Sequence, residues 1–257
     1  MFDKNEYDRS VNTFSSQGRL FQIEYALKAI QQGWTTLGIQ VNGGVVLASE
    51  KKLSSKLQVP SSIEKISKIN DKTICAFSGL LSDARSLIDH ARVEAANHWF
   101  VYNEEIPLES LVSSICELTM SFAENKKKKD NDEEEKRKIS RPFGCSLLVA
   151  GIDKGKKPVL LRNDPSGNYS RFKACCIGAG GENGMLTLSE LYKEDMSLQD
   201  AILLAGKVIK ENMEQKINKN NVEISYIDAN NSKITNLTPE EIEVLIPKFL
   251  WKYYRIA

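Results

Sequence analysis

Apolar positions recur along the chain with two periods, and the switches between them lay out the elements. Leu20, Ile23, Leu27 and Ile30 fall at three- and four-residue spacing, which predicts one apolar stripe on a helix starting near residue 19. Phe21 and Tyr25 are four apart and can stack, Glu24 and Lys28 stand in the favourable order for an ion pair, and Gly33 marks the stop. Ahead of this helix, 7–17 follows neither period and is rich in Ser, Asn and Thr, so it reads as extended chain or loop. Behind it, 34–40 and 45–50 are short apolar runs with an Asn-Gly pair between them, a hairpin signal. Pro60 breaks a polar loop over 53–62, and 63–69 with 72–78 reads as a second hairpin.

Helices are predicted over 79–100 and 107–123, with Asp83 near the start of the first and Pro107 in the first turn of the second. Strands follow at 143–152, 158–162 and 169–177, then helices at 182–193 and 198–218, the latter with Ser197 as its N-cap. Segments 221–228 and 232–236 are short strands. Thr238-Pro239-Glu240-Glu241 then supplies a cap, a first-turn proline and two acids for a last helix. Past Pro247 the sequence is aromatic and basic and reads as either docked on a neighbour or disordered. Antiparallel strands segregated from helix pairs indicate an α+β chain with helices outside two packed sheets.

Composition narrows the function classes. At 257 residues, 41% hydrophobic and 27% charged, the chain is long enough for a sizeable core, and a net charge of +1 gives no electrostatic case for nucleic acid or an anionic membrane. No run reaches the roughly 18–20 apolar residues of a membrane span, and the first residues lack the apolar core of a signal peptide. The five cysteines show no CxxC spacing and read as reduced, mostly buried thiols; with two histidines, a His-rich metal site is not expected. The block 124–138 is nearly all charge of both signs, which makes it a surface loop or, less simply, a nuclear localisation patch. The glycines of 178–184 suit a strand-to-helix turn; they lack the Lys-Ser/Thr of a phosphate-binding loop.

The longest distinctive stretch is Tyr7-Asp8-Arg9, then Phe14-Ser-x-x-Gly-Arg-Leu-Phe-Gln-x-Glu-Tyr-Ala26. It closely resembles the N-terminal signature of proteasome alpha subunits. The likeness continues through Ser62-Ile63-Glu64-Lys65-Ile66, Ser78-Gly79-Leu80, Asp83-Ala84-Arg85, Ser140-Arg141-Pro142-Phe143-Gly144, Asp164-Pro165-Ser166-Gly167 and Asn221-Val222-Glu223-Ile224, from about residue 6 to 246. The wording of 7–14 and of 97–103 is similar to one alpha type in particular.

The resemblance implies a four-layer αββα sandwich of the N-terminal-nucleophile hydrolase type with an extra N-terminal helix. It divides the chain into a gate segment 1–18, one domain over 19–247 and a tail 248–257. It implies a non-catalytic structural and gating subunit of the 20S core particle, needing no cofactor or metal, in the cytoplasm and nucleus. Partners would be other alpha subunits in a seven-membered ring, the beta ring, regulatory ATPases or other activators docking through C-terminal tails, and unfolded substrates in transit, with no nucleic acid or membrane. The N-terminal helix would pack either on its own domain or on a neighbour.

Sibling beta subunits carry an N-terminal threonine whose own amine is the base, with a lysine and an aspartate nearby. On that pattern Trp34 stands about where the threonine starts, Thr35 and Thr36 are adjacent, Glu50 falls at the aspartate and Lys65 near the lysine. The residue before Thr35 is Trp34, not the glycine of self-cleavage, and without a cut neither threonine has a free amine, so no catalytic residue is expected. The rival reading is a hydrolase with Thr35 exposed by processing. Lys65 is either a solvated strand residue or, as the resemblance implies, the anchor for an activator's C-terminal carboxylate. In the gate, the resemblance matches Tyr7, Asp8 and Tyr25 to positions that hold the open form, Arg9 belongs to the same segment, and Ser16 stands where a proline is usual.

Overall fold

The computed structural model describes residues 11–53, 55, 57–123 and 140–250. The charged block, the aromatic tail beyond residue 250, and Tyr7, Asp8 and Arg9 lie outside the described residues. After helix α1 (Phe21–Gln31) come β1 (Thr36–Val41), β2 (Gly44–Glu50), β3 (Ile66–Asn70) and β4 (Thr73–Gly79). Helices α2 (Leu81–Tyr102) and α3 (Leu108–Met120) follow, then β5 (Cys145–Asp153), β6 (Lys157–Asn163), β7 (Tyr169–Arg171) and β8 (Ala174–Ile177). The chain continues with α4 (Gly181–Leu191), α5 (Leu198–Asn212), β9 (Val222–Asp228), β10 (Ile234–Asn236) and α6 (Pro239–Leu245).

Two antiparallel five-stranded sheets result, one ordered β10-β9-β2-β1-β8 and the other β3-β4-β5-β6-β7. Their facing sides share a core that includes Val45, Leu47, Ile74, Leu148, Leu160 and Ile177. On the outer face of the first sheet, α4 and α5 bury Leu188, Leu204 and Val208 against Leu37 and Ile224. On the outer face of the second, α2 and α3 bury Leu87, Leu111 and Ile115 against Phe77 and Leu147. Central strands covered on both faces lose the period-two alternation: β5 is buried over its first eight residues. This is the α+β sandwich with an N-terminal helix that the sequence led one to expect. All five cysteines are free and buried.

Three local expectations need correction. The segment 169–177 is not one strand. It breaks at Phe172 and Lys173, with β7 pairing β6 in one sheet and β8 pairing β1 in the other, so this short piece crosses between the layers. Along α1, Ala26 and Ile30 are buried while Leu27 is 37% exposed, so the buried side is rotated from the stripe read off the larger side chains. A Cβ on Gly144, at the entry to β5, would lie at ordinary contact distance, 3.5 Å, from Ala29 Cβ, so α1 packs beside that strand entry. Glu24 is bonded by Arg19, whose Nε donates to Oε1 at 2.6 Å, in place of the expected pairing with Lys28. Phe21 and Tyr25 do stack, centroids 6.3 Å apart.

Capping follows the sequence closely. Ser197 Oγ accepts from Asp200 N at the start of α5, and Thr238 with Glu241 forms a reciprocal capping box on α6. Pro107 is the N-cap of α3, one position earlier than expected.

Candidate functional site

The site lies where the exit of α1, the end of β4 and the end of β8 converge. Backbones meet there too closely for side chains. A Cβ on Gly33 would sit 2.3 Å from Gly79 N, and one on Gly178 would sit 2.5 Å from Trp34 O, at a left-handed φ of +98°. Ser78 Oγ, buried in this seam, is 3.1 Å from Ile30 O and 3.0 Å from Trp34 O and donates to these carbonyls. The seam therefore fixes Trp34 just ahead of β1.

Lys65, just ahead of β3, reaches into this corner. It is only 5% exposed, which rules out the solvated-strand reading. Its Nζ lies 3.8 Å from the centroid of the Phe77 ring and 4.6 Å from that of Trp34, so the cation faces two π-systems. Its backbone N–H donates to Glu223 Oε2 at 2.9 Å, and the same oxygen lies 3.2 Å from Lys51 Nζ. Burial pushes the Lys65 amine down to about 8, against which Glu223 and then Glu50 pull it back up. Glu50, at the end of β2, is itself pushed up by burial, and a backbone hydrogen bond from Thr35 opposes that.

The two threonine hydroxyls are committed elsewhere. Thr35 Oγ1, 1% exposed by residue, accepts from Gly180 N at 3.1 Å, which ties the glycine-rich turn to the start of β1. Thr36 Oγ1 shares a 2.8 Å hydrogen bond with Ser49 Oγ and lies 3.1 Å from Phe77 O. The backbone runs unbroken from α1 into β1: Gly33 N–H donates to Ile30 O at 2.9 Å, and Gly33 O accepts from Ala179 N at 2.8 Å. A glycine thus does precede the position matched to the threonine, but that position is Trp34, which has no hydroxyl. The corner holds a buried amine beside aromatic rings, and among the described residues no base stands next to either threonine hydroxyl.

Ser16 and Tyr25 lie elsewhere. Ser16 precedes α1 and Trp34 follows it, so the turn around Ser16 and Trp34 stand at opposite ends of an 11-residue helix, about 16 Å of rise. Ser16 is the second residue of a turn closed by Gly18 N to Ser15 O at 2.9 Å, and Gly18 has φ +72°. Ser15 Oγ clamps the turn by accepting from Arg19 N at 3.1 Å and Gln17 N at 3.3 Å. Tyr25 is 39% exposed on α1. Among the described residues no group of His, Cys, Asp or Glu is arranged to hold a metal, and no helix is long and apolar enough to cross a membrane. The sequence pattern does not link Trp34, Phe77 or Glu223 to Lys65, although Trp34 and the Asn221–Ile224 segment stand out in it for other reasons.

Comparison with known proteins bears directly on this corner. A family profile described as proteasome subunit matches residues 30–227, and a second, for the N-terminal signature of A-type proteasome subunits, matches residues 7–29.

The chain belongs to the proteasome subunit family.

Among curated relatives, the proteasome alpha type-5 subunit of Dictyostelium discoideum is 48% identical over 243 residues, covering 95% of this chain and 97% of the relative. The proteins of the same name in Drosophila melanogaster and Trypanosoma brucei brucei are 44% and 42% identical, with 93% and 95% of this chain covered and 96% of each relative. The alpha-type signature and these relatives make this a non-catalytic subunit of a threonine-type protease complex. In this fold the Lys65 ammonium faces the Trp34 indole and the Phe77 ring.

Proposed function

We propose that this chain is a structural and gating subunit in the outer alpha ring of the 20S proteasome core particle, one of seven related chains, stacked on a beta ring. Segments 1–18 and 19–247 act as gate and body. The gate residues are Tyr7, Asp8, Arg9, Ser16 and Tyr25, and they control entry of unfolded protein to sites carried by other chains in the cytoplasm and nucleus. Lys65 receives the C-terminal carboxylate of a regulatory ATPase or other activator. The observation that carries this reading is the Lys65 amine, kept in a corner that has no nucleophile for it to assist. An ammonium there has no catalytic partner but suits an incoming carboxylate.

The test is assembly and processing. Purified through a tag on this chain, the protein is expected in particles of several hundred kilodaltons, with intact mass showing no cut between Gly33 and Thr35. A monomer, or a mature chain starting at Thr35, defeats the proposal. The gate turn gives a smaller prediction. With the Ser15 clamp in place, Ser16→Pro presets the second turn position and is expected to stabilise the arm by about 0.4–1 kcal/mol. Basal and activator-stimulated peptide entry, compared between the two particles, reads its effect on gating; no change in either would remove Ser16 from the gate.

A further inference from the structure

We infer that Trp34 is the positioning residue of the Lys65 site: its indole face holds the Lys65 ammonium in place, and in its charged form, for an incoming carboxylate. This rests on the docking role proposed above for Lys65. Among the described residues no carboxylate lies within ion-pair distance of Lys65 Nζ. Glu223 is engaged otherwise, its Oε2 lying 2.9 Å from the Lys65 backbone N–H and 3.2 Å from Lys51 Nζ. Glu223 of β9 and Glu50 at the end of β2 act on the amine from further off. The end of β4 and the chain ahead of β1 face it with rings instead of charges. A carboxylate partner would occupy the N–H donors that a docking carboxylate needs. A ring face attracts the cation and leaves those donors available.

The two rings are not equivalent. Phe77 is buried and belongs to the core beneath α2 and α3, so packing sets its place. Trp34 is only half-buried and belongs to none of the three apolar cores, so packing alone does not account for an indole there. Its backbone is nevertheless fixed. Trp34 O lies 3.0 Å from Ser78 Oγ and 3.3 Å from Thr36 Oγ1, and a Cβ on Gly178 would sit 2.5 Å from it. A ring mounted on a pinned backbone lowers the ordering cost that a docking ligand would otherwise meet. The seam of glycines and hydroxyls therefore has a consequence for binding: it presents one aromatic face to one ammonium.

The experiment uses the full chain in its assembled particle. Trp34 is replaced by Leu, by Phe and by a fluorinated tryptophan, which keeps the shape of the indole and strips negative charge from its face. The amine is titrated through the rate at which acetic anhydride acetylates Lys65, read by mass spectrometry across pH. Its midpoint, about 8 in the native chain, is expected to move down by about one pH unit with the fluorinated ring and with Trp34→Leu, and Trp34→Phe is expected to restore most of that shift. Docking is read as cross-linking to this chain of a short photoreactive peptide ending in a free carboxylate, against the same peptide ending in a carboxamide. At pH 8 the acid peptide is expected to bind about fivefold more weakly to the fluorinated and leucine particles, because the charged fraction falls from about one half to about one tenth. A midpoint that fluorination leaves unmoved overturns the inference, whatever the peptides do. So does a midpoint that moves with Leu alone, since that marks the indole as a filler of space. A midpoint that moves as expected while acid and carboxamide peptides cross-link equally upholds the hold of Trp34 on the amine and defeats the docking role instead.

Discussion

Replacing Lys65 by methionine is expected to stabilise the protein at neutral pH and to abolish carboxylate docking in the same step. The amine sits at about 8 in the native chain against an ordinary 10.5, which amounts to a cost of up to about 3 kcal/mol for keeping it charged in place. The two ring faces favour the charged form, so this is an upper bound. Between about 8 and 10.5 the unfolded chain still holds the proton that the native chain has lost, so stability rises with pH across that window; below 8 the full cost is present. Methionine has a similar length and no charge, so Lys65→Met particles should unfold at higher temperature than wild type at pH 7. That advantage should fade as pH approaches 10.5. Docking runs the other way. A carboxylate needs the ammonium, so wild-type affinity for a peptide carrying an activator-like C-terminus should fall about tenfold per pH unit above 8. Lys65→Met should lose at least tenfold at pH 7. If a C-terminal carboxamide peptide binds as well as the acid, Lys65 is not the anchor. If the methionine variant is no more stable than wild type, the amine is not held at a cost. A residue retained against its own stability cost fits a binding role better than a packing one.

What the sequence disclosed and what it hid follow from the range of the forces involved. Caps, hairpin turns and helix order depend on neighbours within a few residues, and Ser197, Thr238 and the Asn42-Gly43 turn sit where their local chemistry puts them. The division of 169–177 between two sheets leaves no local trace, because both halves carry strand-compatible residues and only the partners differ. Periodicity misplaces the buried side of α1 because it weights large side chains, whereas the helix buries the small Ala26 beside Ile30 and leaves Leu27 outward. Lys65 stands out along the chain, but its environment is not visible there. Its rings come from Phe77 in β4 and Trp34 ahead of β1, and only the stacking of one sheet on the other brings them to one ammonium. In the sequence, the likeness at Ser140–Gly144 and at Asp83–Arg85 reads as two separate motifs. The structure joins them into one clamp, and the clamp carries the second large effect.

Asp83→Ala is expected to cost about 2–3 kcal/mol, the low end for breaking a buried pair because Arg141 is 53% exposed. Asp83, in the first turn of α2, has a side chain only 10% exposed. Arg141 grips it with two bonds, Nη1 to Oδ2 at 2.7 Å and Nη2 to Oδ1 at 3.0 Å, and the Gly144 N–H donates to Oδ2 at 2.8 Å. One carboxylate thus pins the start of α2 to the strand entry that follows the charged block. Without it a buried N–H loses its acceptor. Asp83→Asn should cost nearly as much, since one amide face would present donors to donors. Burial raises the Asp83 pKa, but the bonds from Arg141 and Gly144 outweigh it and hold the group below 3.8. The native pKa is therefore lower than the unfolded one, so the contribution is complete above about 4 and drains as pH falls through the native value. Thermal unfolding should show the alanine variant about 5–10 °C below wild type at pH 7, with the gap narrowing as pH falls below about 4 through the depressed native pKa. A gap that is the same at pH 7 and pH 3 would mean that packing, not the ionised carboxylate, sets the cost. A negligible gap at pH 7 would mean that the α2–β5 junction is held by its apolar contacts alone.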